Sequence, residues 1–158
     1  MNILGIGPAL LMAGLLGGVT VALINRVFGI SLRLPAMCVL FSRCAGIALF
    51  CIGMVIWMMS LKQLSRIRRS PHLETAGVYG LCRNPLYAAF ILFVVPGIAF
   101  ACNELLILFV SLAMFSLFKL KIQKEEDALR GIYGRDFEQY MQDVPRLVPW
   151  RRRRQRSR

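Results

Sequence analysis

Acidic residues and histidine are scarce in this chain. Its 158 residues include 8 aspartates and glutamates and one histidine, against 20 lysines and arginines, which gives a formal net charge of +12. A single histidine excludes a metal centre built on several imidazoles. Neither a zinc site nor a disulfide framework is expected, because no CxxC pair occurs and most of the cysteines stand in apolar stretches: Cys38, Cys44, Cys51, Cys82 and Cys102.

Charged residues are also few, at 18% of the chain, whereas 57% of the residues are hydrophobic. Charged and hydrophobic residues must therefore be segregated along the sequence. Such segregation is typical of a membrane protein with basic flanks, and it argues against a nucleic-acid-binding protein. The length suits one domain, which we place at residues 1–150, so any chemistry must lie in the membrane or at its surface.

Four apolar runs have the length of membrane spans. A helix crosses the hydrocarbon core in about 20 residues, and the runs cover residues 3–24, 36–61, 86–102 and 105–120. We expect the first run to be a retained span and not a signal peptide, because it lacks a basic leading segment. Only Asn103 and Glu104 separate the last two runs, which predicts an antiparallel hairpin. Pro96-Gly97 should kink its first arm.

The lysines and arginines predict the orientation of these spans. Two lie between the first and second runs, five between the second and third, and twelve in the tail from Lys119 to Arg158. An even number of spans places both termini on one side, and the positive-inside bias makes that side the cytoplasm. Arg43, inside the second run, either snorkels to the interface or faces inward as a functional group.

The polar segment after the fourth run keeps a helical pattern of apolar residues. It predicts a cytoplasmic interfacial helix at about residues 121–142, divided at Gly131 and Gly134. Residues 151–158, RRRRQRSR, should form a disordered tail that attracts anionic lipid by about 1 kcal/mol per basic residue. The expected fold is therefore an all-α, polytopic membrane protein with four transmembrane helices and an interfacial C-terminal helix.

Two polar segments should meet on the cytoplasmic side, because the hairpin brings the start of the third span beside the end of the fourth. They cover residues 72–87 and 121–127. Each also has a purely structural explanation. Asn84-Pro85 is a good helix start, with asparagine as N-cap and proline in the first turn. The acidic residues 125–127 could be a solvated face that pairs with Lys121, Lys124 and Arg130.

The order of motifs favours a functional explanation. Thr75-Ala-Gly-Val-Tyr79 followed by Arg83-Asn-Pro-Leu-Tyr87 resembles the signature of the isoprenylcysteine carboxyl methyltransferase family and its phospholipid methyltransferase relatives, T-x-G-x-Y and then R-H-P-x-Y. Residues 125–126, 133–140 and 144–149 resemble the family's E-E, F-G-x-x-Y-x-x-Y and V-P-x-x-x-P series. The resemblance covers about residues 70–150. It departs at Asn84, where the family usually has a histidine, and asparagine cannot carry a proton near neutral pH.

The resemblance implies S-adenosylmethionine (SAM) as cofactor, bound between the C-terminal segment and the membrane, and methyl transfer to a lipophilic or lipid-linked carboxylate, thiol or amine. Arg83 would serve the SAM carboxylate or an anionic substrate, and Lys121 would help to place the acceptor. The candidate catalytic residues are Arg83, Lys121 and Glu126. The candidate cofactor-binding residues are His72, Leu73, Tyr79, Asn84, Pro85, Leu86, Tyr87 and Glu125.

The chemistry of SAM fits these residue types. Its sulfonium, ammonium and carboxylate call for acidic, basic and aromatic groups together, and the rings of Tyr79 and Tyr87 can face a cation. Two alternatives remain open on the sequence. One is an NADPH-dependent membrane reductase of sterol-reductase-like architecture, in which the run from Arg66 to Arg69 would bind phosphate. The other is a non-enzymatic membrane adaptor with a polybasic tail.

Overall fold

A computed structural model describes residues 7–67 and 75–148, and over these ranges the chain contains only helices and turns. His72, Leu73 and the basic tail of residues 151–158 lie outside the described residues. The all-α prediction is confirmed for the described part of the chain. The helices are α1 (Gly7–Phe28), α2 (Ala36–Ile67), α3 (Pro85–Ala101), α4 (Ile107–Tyr133) and α5 (Arg135–Asp143), with a 3₁₀ turn at Gly77–Gly80.

Two of these helices are long and apolar enough to cross a membrane. They are Gly7–Phe28 and Ala36–Ser65, with mean hydropathies of 2.0 and 2.2, and they coincide with the first two predicted spans. Large apolar side chains point outward from both helices, for example Leu15 at 72% and Met37 at 87% exposed. Such a surface is consistent with a membrane protein. Arg43 is exposed on α2, as the snorkelling interpretation requires.

The third and fourth predicted spans take a different form. α3 is a shorter apolar helix. The fourth span and the first half of the predicted interfacial helix are one continuous 27-residue helix, α4. Gly131 lies inside α4, so the predicted break there is wrong, whereas Gly134 ends the helix with a φ of 53°. The polar half of α4 continues the helix because it packs one face, including buried Ile122 and Glu126, onto the rest of the fold.

Glycines allow α2 and α3 to cross with their backbones in contact. A Cβ atom at Gly97 would lie 2.7 Å from the backbone N of Phe50 and 2.9 Å from the carbonyl oxygen of Gly46. Gly53 lies about two turns further along α2 than Gly46. A Cβ atom at Gly53 would lie 2.8 Å from the Cβ of Phe93. This crossing sets the position of the first turn of α3 relative to the end of α2.

The irregularity expected near Pro96 is a π-helical segment, Ala89–Val94, in the middle of α3. In this register the N–H of Val95 bonds to the carbonyl of Phe90. The next carbonyl, of Ile91, would need an N–H from residue 96, which proline lacks. The hydroxyl of Ser111 on α4 donates to that carbonyl instead. The π segment and Pro96 are thus accommodated by a specific contact across the α3–α4 hairpin.

The hairpin turn is also fixed to the connection between α1 and α2. Glu104 accepts hydrogen bonds from the side chain of Asn25 at 2.8 Å and from the backbone N–H of Leu32 at 3.1 Å. Asn103, with a φ of 52°, accepts one from the N–H of Leu34 at 3.0 Å. Both turn residues are only 8% exposed. They therefore satisfy buried backbone donors at the end of the molecule opposite to the first turn of α3.

Candidate functional site

The segment after α5 returns to the first turn of α3. Val144 is extended, as expected for a residue before proline, and ends α5. The carbonyl of Pro145 then accepts a hydrogen bond from the N–H of Arg83 at 2.8 Å. The carbonyl of Arg146 accepts two from Asn84, one from its backbone N–H at 3.1 Å and one from its side-chain amide at 3.2 Å. We call residues 144–148 the C-terminal strap.

A buried carboxylate lies under this strap. Glu126 on α4 is 3% exposed. The Nη2 of Arg146 donates to it at 2.6 Å, and the Nε of Arg146 donates to both of its oxygens at 3.1 Å. The Nη1 of Arg83 lies 3.0 Å from its Oε1. One acidic side chain is therefore held between two guanidinium groups, which compensates for its desolvation.

Arg83 keeps unused hydrogen-bonding capacity in this arrangement. Its side chain is 10% exposed, and neither its Nε nor its Nη1 has a hydrogen-bond partner among the described residues. The Nη1 is close to Glu126 but is not aligned for a hydrogen bond to it. Burial lowers the pKa of Arg83, and the negative charge of Glu126 partly opposes that shift. Both atoms are enclosed by protein, whereas Arg83 as a residue lines the cavity. A buried guanidinium with incompletely paired donors favours an anionic neighbour.

A second carboxylate is oriented by a tyrosine. The hydroxyl of Tyr87, in the first turns of α3, contacts both oxygens of Glu125 at 3.1 and 3.3 Å. The ring of Tyr87 packs edge-on against Phe118 of α4, with 5.7 Å between centroids. These residues are far apart in sequence, and the α3–α4 hairpin brings them together as predicted. Glu125 is half-buried, so its carboxylate remains accessible from the cavity.

The turn that precedes α3 forms another wall. Tyr140 of α5 donates a hydrogen bond from its hydroxyl to the carbonyl of Tyr79 at 2.7 Å. The side chain of Gln63 on α2 donates to the carbonyl of Ala76. Burial raises the pKa of Tyr140, and it raises the pKa of Cys82 to about 11. Both groups are therefore neutral at physiological pH.

These elements surround an open cavity of about 120 Å³, which is smaller than the about 300–1,000 Å³ common for small-molecule sites. Its wall combines apolar and aromatic side chains with a small number of charged ones. The lining residues are Leu64, Tyr79, Arg83, Asn84, Ile122, Glu125, Glu126, Leu129, Tyr133, Phe137 and Tyr140.

The structure brings together a part of the predicted site. Among the candidate residues, the cavity is lined by Tyr79, Arg83, Asn84, Glu125 and Glu126, and Tyr87 contacts it through Glu125. Pro85 is buried in the first turn of α3 and Leu86 is half-buried beside it, and neither lines the cavity. Lys121 is exposed on α4 and does not line it either. The functional roles of all these residues remain predictions.

Several lining residues were missed by the sequence analysis. Tyr133, Phe137 and Tyr140 recur at helical spacing, which was interpreted as the apolar face of an interfacial helix. Arg146 was noted only as part of a motif, although it makes the closest contacts to Glu126. No local pattern could reveal that pair, because the two residues are 20 positions apart and in separate elements. The apolar lining residues Ile122 and Leu129 belong to the same helical pattern, and Leu64 was not singled out.

The family of the chain follows from comparison with known proteins. The family model "Phospholipid methyltransferase" matches residues 41–136, which include the α2–α3 crossing and most of the cavity wall. The chain therefore belongs to the phospholipid methyltransferase family, and the family resemblance noted in the sequence is confirmed.

Curated relatives carry a related name. The chain is 33% identical over 93 residues to protein-S-isoprenylcysteine O-methyltransferase B of Arabidopsis thaliana, covering 58% of this chain and 47% of that protein. It is 36% identical over 78 residues to a probable protein-S-isoprenylcysteine O-methyltransferase of Oryza sativa subsp. indica, covering 49% and 41%. For the Xenopus laevis protein-S-isoprenylcysteine O-methyltransferase the identity is 30% over 78 residues, covering 49% and 27%. The chain spans less than half the length of these relatives.

Proposed function

We propose that this protein is a methyltransferase that transfers a methyl group from SAM to a lipophilic or lipid-linked acceptor at the cytoplasmic face of a membrane. The observation that carries the proposal is the cavity between α4, α5 and the first turn of α3. It combines a buried arginine with free donors, two carboxylates and three tyrosines in a largely apolar wall. The family assignment supports methyl transfer as the chemistry.

The donor set fits SAM. The guanidinium of Arg83, which lines the cavity, suits a carboxylate. The Glu125 carboxylate, oriented by Tyr87, suits an ammonium group or ribose hydroxyls. The tyrosine rings of the wall suit a sulfonium. Side chains such as Ile122 and Leu129 offer apolar surface to a purine. When bound, SAM would supply an electrophilic methyl group.

The residues of this chain would then act by binding, orientation and exclusion of water. Methyl transfer is an in-line displacement, so alignment of the acceptor supplies much of the rate. A carboxylate or thiolate acceptor needs no general base. The names of the relatives point to a prenylated cysteine as one acceptor of suitable chemistry.

The proposal includes a topology. We place four spans in the membrane with both termini in the cytoplasm, so that the cavity lies at the cytoplasmic interface and the tail of residues 151–158 contacts anionic lipids. The outward apolar faces of α1 and α2 support the first two spans. A reporter fused in turn to the C-terminus and to the 103–104 hairpin would be expected to report opposite sides.

Titration of the purified protein in a lipid-like detergent tests the cofactor. We expect S-adenosylhomocysteine to bind, and Glu125→Ala to weaken binding by about tenfold or more through the loss of charge-assisted hydrogen bonds. Asp127→Ala is the matched control, because Asp127 is a neighbouring carboxylate on α4 that is 53% exposed and pairs only weakly with Arg130. Wild-type protein that binds no S-adenosylhomocysteine would contradict the proposal.

The same titration with NADPH separates the reductase alternative. Binding of NADPH in place of S-adenosylhomocysteine would favour a reductase. If the protein binds neither NADPH nor S-adenosylhomocysteine, and Glu125→Ala leaves its function in the membrane unaffected, a non-enzymatic adaptor would be favoured. The family assignment favours methyl transfer over both.

A further inference from the structure

The charges in the cluster around Glu126 are unequal. Two guanidinium groups, of Arg83 and Arg146, face the single carboxylate of Glu126. Arginine stays protonated in proteins, so the group carries an excess of one positive charge. Arg146 is 45% exposed, so water can solvate its charge, whereas the charge of Arg83 is nine-tenths buried and is unfavourable unless a counter-charge joins it.

The two arginines share Glu126 unevenly. Arg146 donates to Glu126 from its Nη2 at 2.6 Å and from its Nε at 3.1 Å, and its Nη2 also donates to the side chain of Gln123 at 3.0 Å. Arg83 contributes one ion pair at 3.0 Å without an aligned hydrogen bond. The excess charge therefore resides mainly on Arg83, a residue that lines the cavity.

We propose that Arg146 is a positioning residue, which holds the Glu126 carboxylate and so leaves the Arg83 guanidinium available to bind a carboxylate in the cavity. The inference rests on the proposed function, since it assigns a ligand group to the same site. Without Arg146, Glu126 and Arg83 could form a two-pronged pair of zero net charge, because guanidinium and carboxylate match in geometry. Arg83 would then have no excess charge for a ligand.

The main chain of Arg146 has a separate, structural role. Its carbonyl accepts the two hydrogen bonds from Asn84 that hold the C-terminal strap. A substitution of the side chain keeps that carbonyl. The charge effect of the side chain can therefore be tested while the strap is retained.

A ligand carboxylate could belong to the cofactor or to the acceptor, and paired probes distinguish the two. S-adenosylhomocysteine carries the carboxylate, and 5′-methylthioadenosine lacks the amino-acid part. N-acetyl-S-farnesylcysteine carries a carboxylate, and its carboxamide does not. Each probe would be titrated calorimetrically into wild-type protein, Arg146→Gln, Arg146→Lys and the double variant Arg146→Gln with Glu126→Gln. Far-UV circular dichroism and elution volume would confirm the fold.

We expect Arg146→Gln to weaken one carboxylate probe by about tenfold, as for the loss of a charge-assisted hydrogen bond, and to change its uncharged partner by less than about twofold. The double variant should recover most of the affinity, because Arg83 is again uncompensated. Arg146→Lys, which keeps the charge without the two-pronged contact, should give an intermediate loss and serves if Arg146→Gln does not fold.

The outcomes separate the claims. A loss confined to S-adenosylhomocysteine assigns the carboxylate to the cofactor, and a loss confined to N-acetyl-S-farnesylcysteine assigns it to the acceptor; both support the inference. Equal losses for charged and uncharged probes, or no recovery in the double variant, would show that Arg146 acts structurally. Wild-type protein that binds none of the four probes would overturn the proposed function together with the inference.

Discussion

Gly97→Ala should disrupt the α2–α3 crossing, on which the position of the cavity depends. The new Cβ would lie 2.7 Å from the backbone N of Phe50 and 2.9 Å from the carbonyl oxygen of Gly46. Both obstructing atoms belong to the main chain of α2. No side chain can rotate away, so one helix has to shift.

The magnitude follows from two opposing effects. Overpacking a well-packed contact costs about 1–3 kcal/mol, and backbone obstruction favours the upper half of that range. Alanine in place of glycine inside a helix contributes up to about 1 kcal/mol in the opposite direction. We therefore expect the free energy of unfolding to fall by about 1–2 kcal/mol. Because α3 begins at the site, the affinity for S-adenosylhomocysteine should fall as well.

Reversible unfolding by SDS titration in detergent, followed by circular dichroism at the helical band, measures this change. Gly18→Ala is the matched control, since a Cβ at Gly18 in α1 meets nothing within 4 Å. It should leave stability unchanged or raise it by up to about 1 kcal/mol. Equal stability of the two variants would refute the close crossing of α2 and α3.

Three further predictions concern two hydrogen-bonded side chains and one buried thiol. Tyr140→Phe removes the hydroxyl that donates to the Tyr79 carbonyl, and should cost about 1 kcal/mol in the same SDS titration. Glu104→Gln weakens the charge-assisted bonds to Asn25 and to the α1–α2 connection, and should cost about 1–2 kcal/mol. Faster hydrogen exchange in that connection would accompany it. Cys82, with a pKa raised to about 11 by burial, should react with iodoacetamide at pH 8 about a hundredfold more slowly than an ordinary thiol. Its rate should rise as pH approaches 11, which labelling and mass spectrometry can follow.

The helices were predictable where a long apolar run determines them. The first two predicted spans, residues 3–24 and 36–61, coincide with α1 and the apolar part of α2. The joining of the fourth span to the segment after it was not predictable from hydropathy, because the change from apolar to polar residues near Leu120 marks a change of surroundings and not a helix end. Only Gly134, with its positive φ, ends α4.

Of the contacts that build the site, the sequence predicted the one between α3 and α4 but not the one made by the C-terminal strap. The hairpin and the motif order placed Tyr87 near Glu125, and the structure joins them through a hydrogen bond. The pairing of Glu126 with Arg146 required the return of the strap after α5, which no periodicity specifies. A charge pair between distant segments leaves no local signal, so resemblance could indicate a motif around residue 146 without indicating what its arginine contacts.

Asn84 stands where the family usually has a histidine, and its contacts explain why asparagine can replace histidine at this position. Its side-chain amide donates to the carbonyl of Arg146, and its backbone N–H donates to the same oxygen. A neutral histidine has a ring N–H that can donate one such hydrogen bond, and asparagine does so without any titratable group. A position that serves to hold the C-terminal strap therefore needs a donor and not a proton acceptor. On this reasoning the replacement of histidine by asparagine keeps the strap over Glu126.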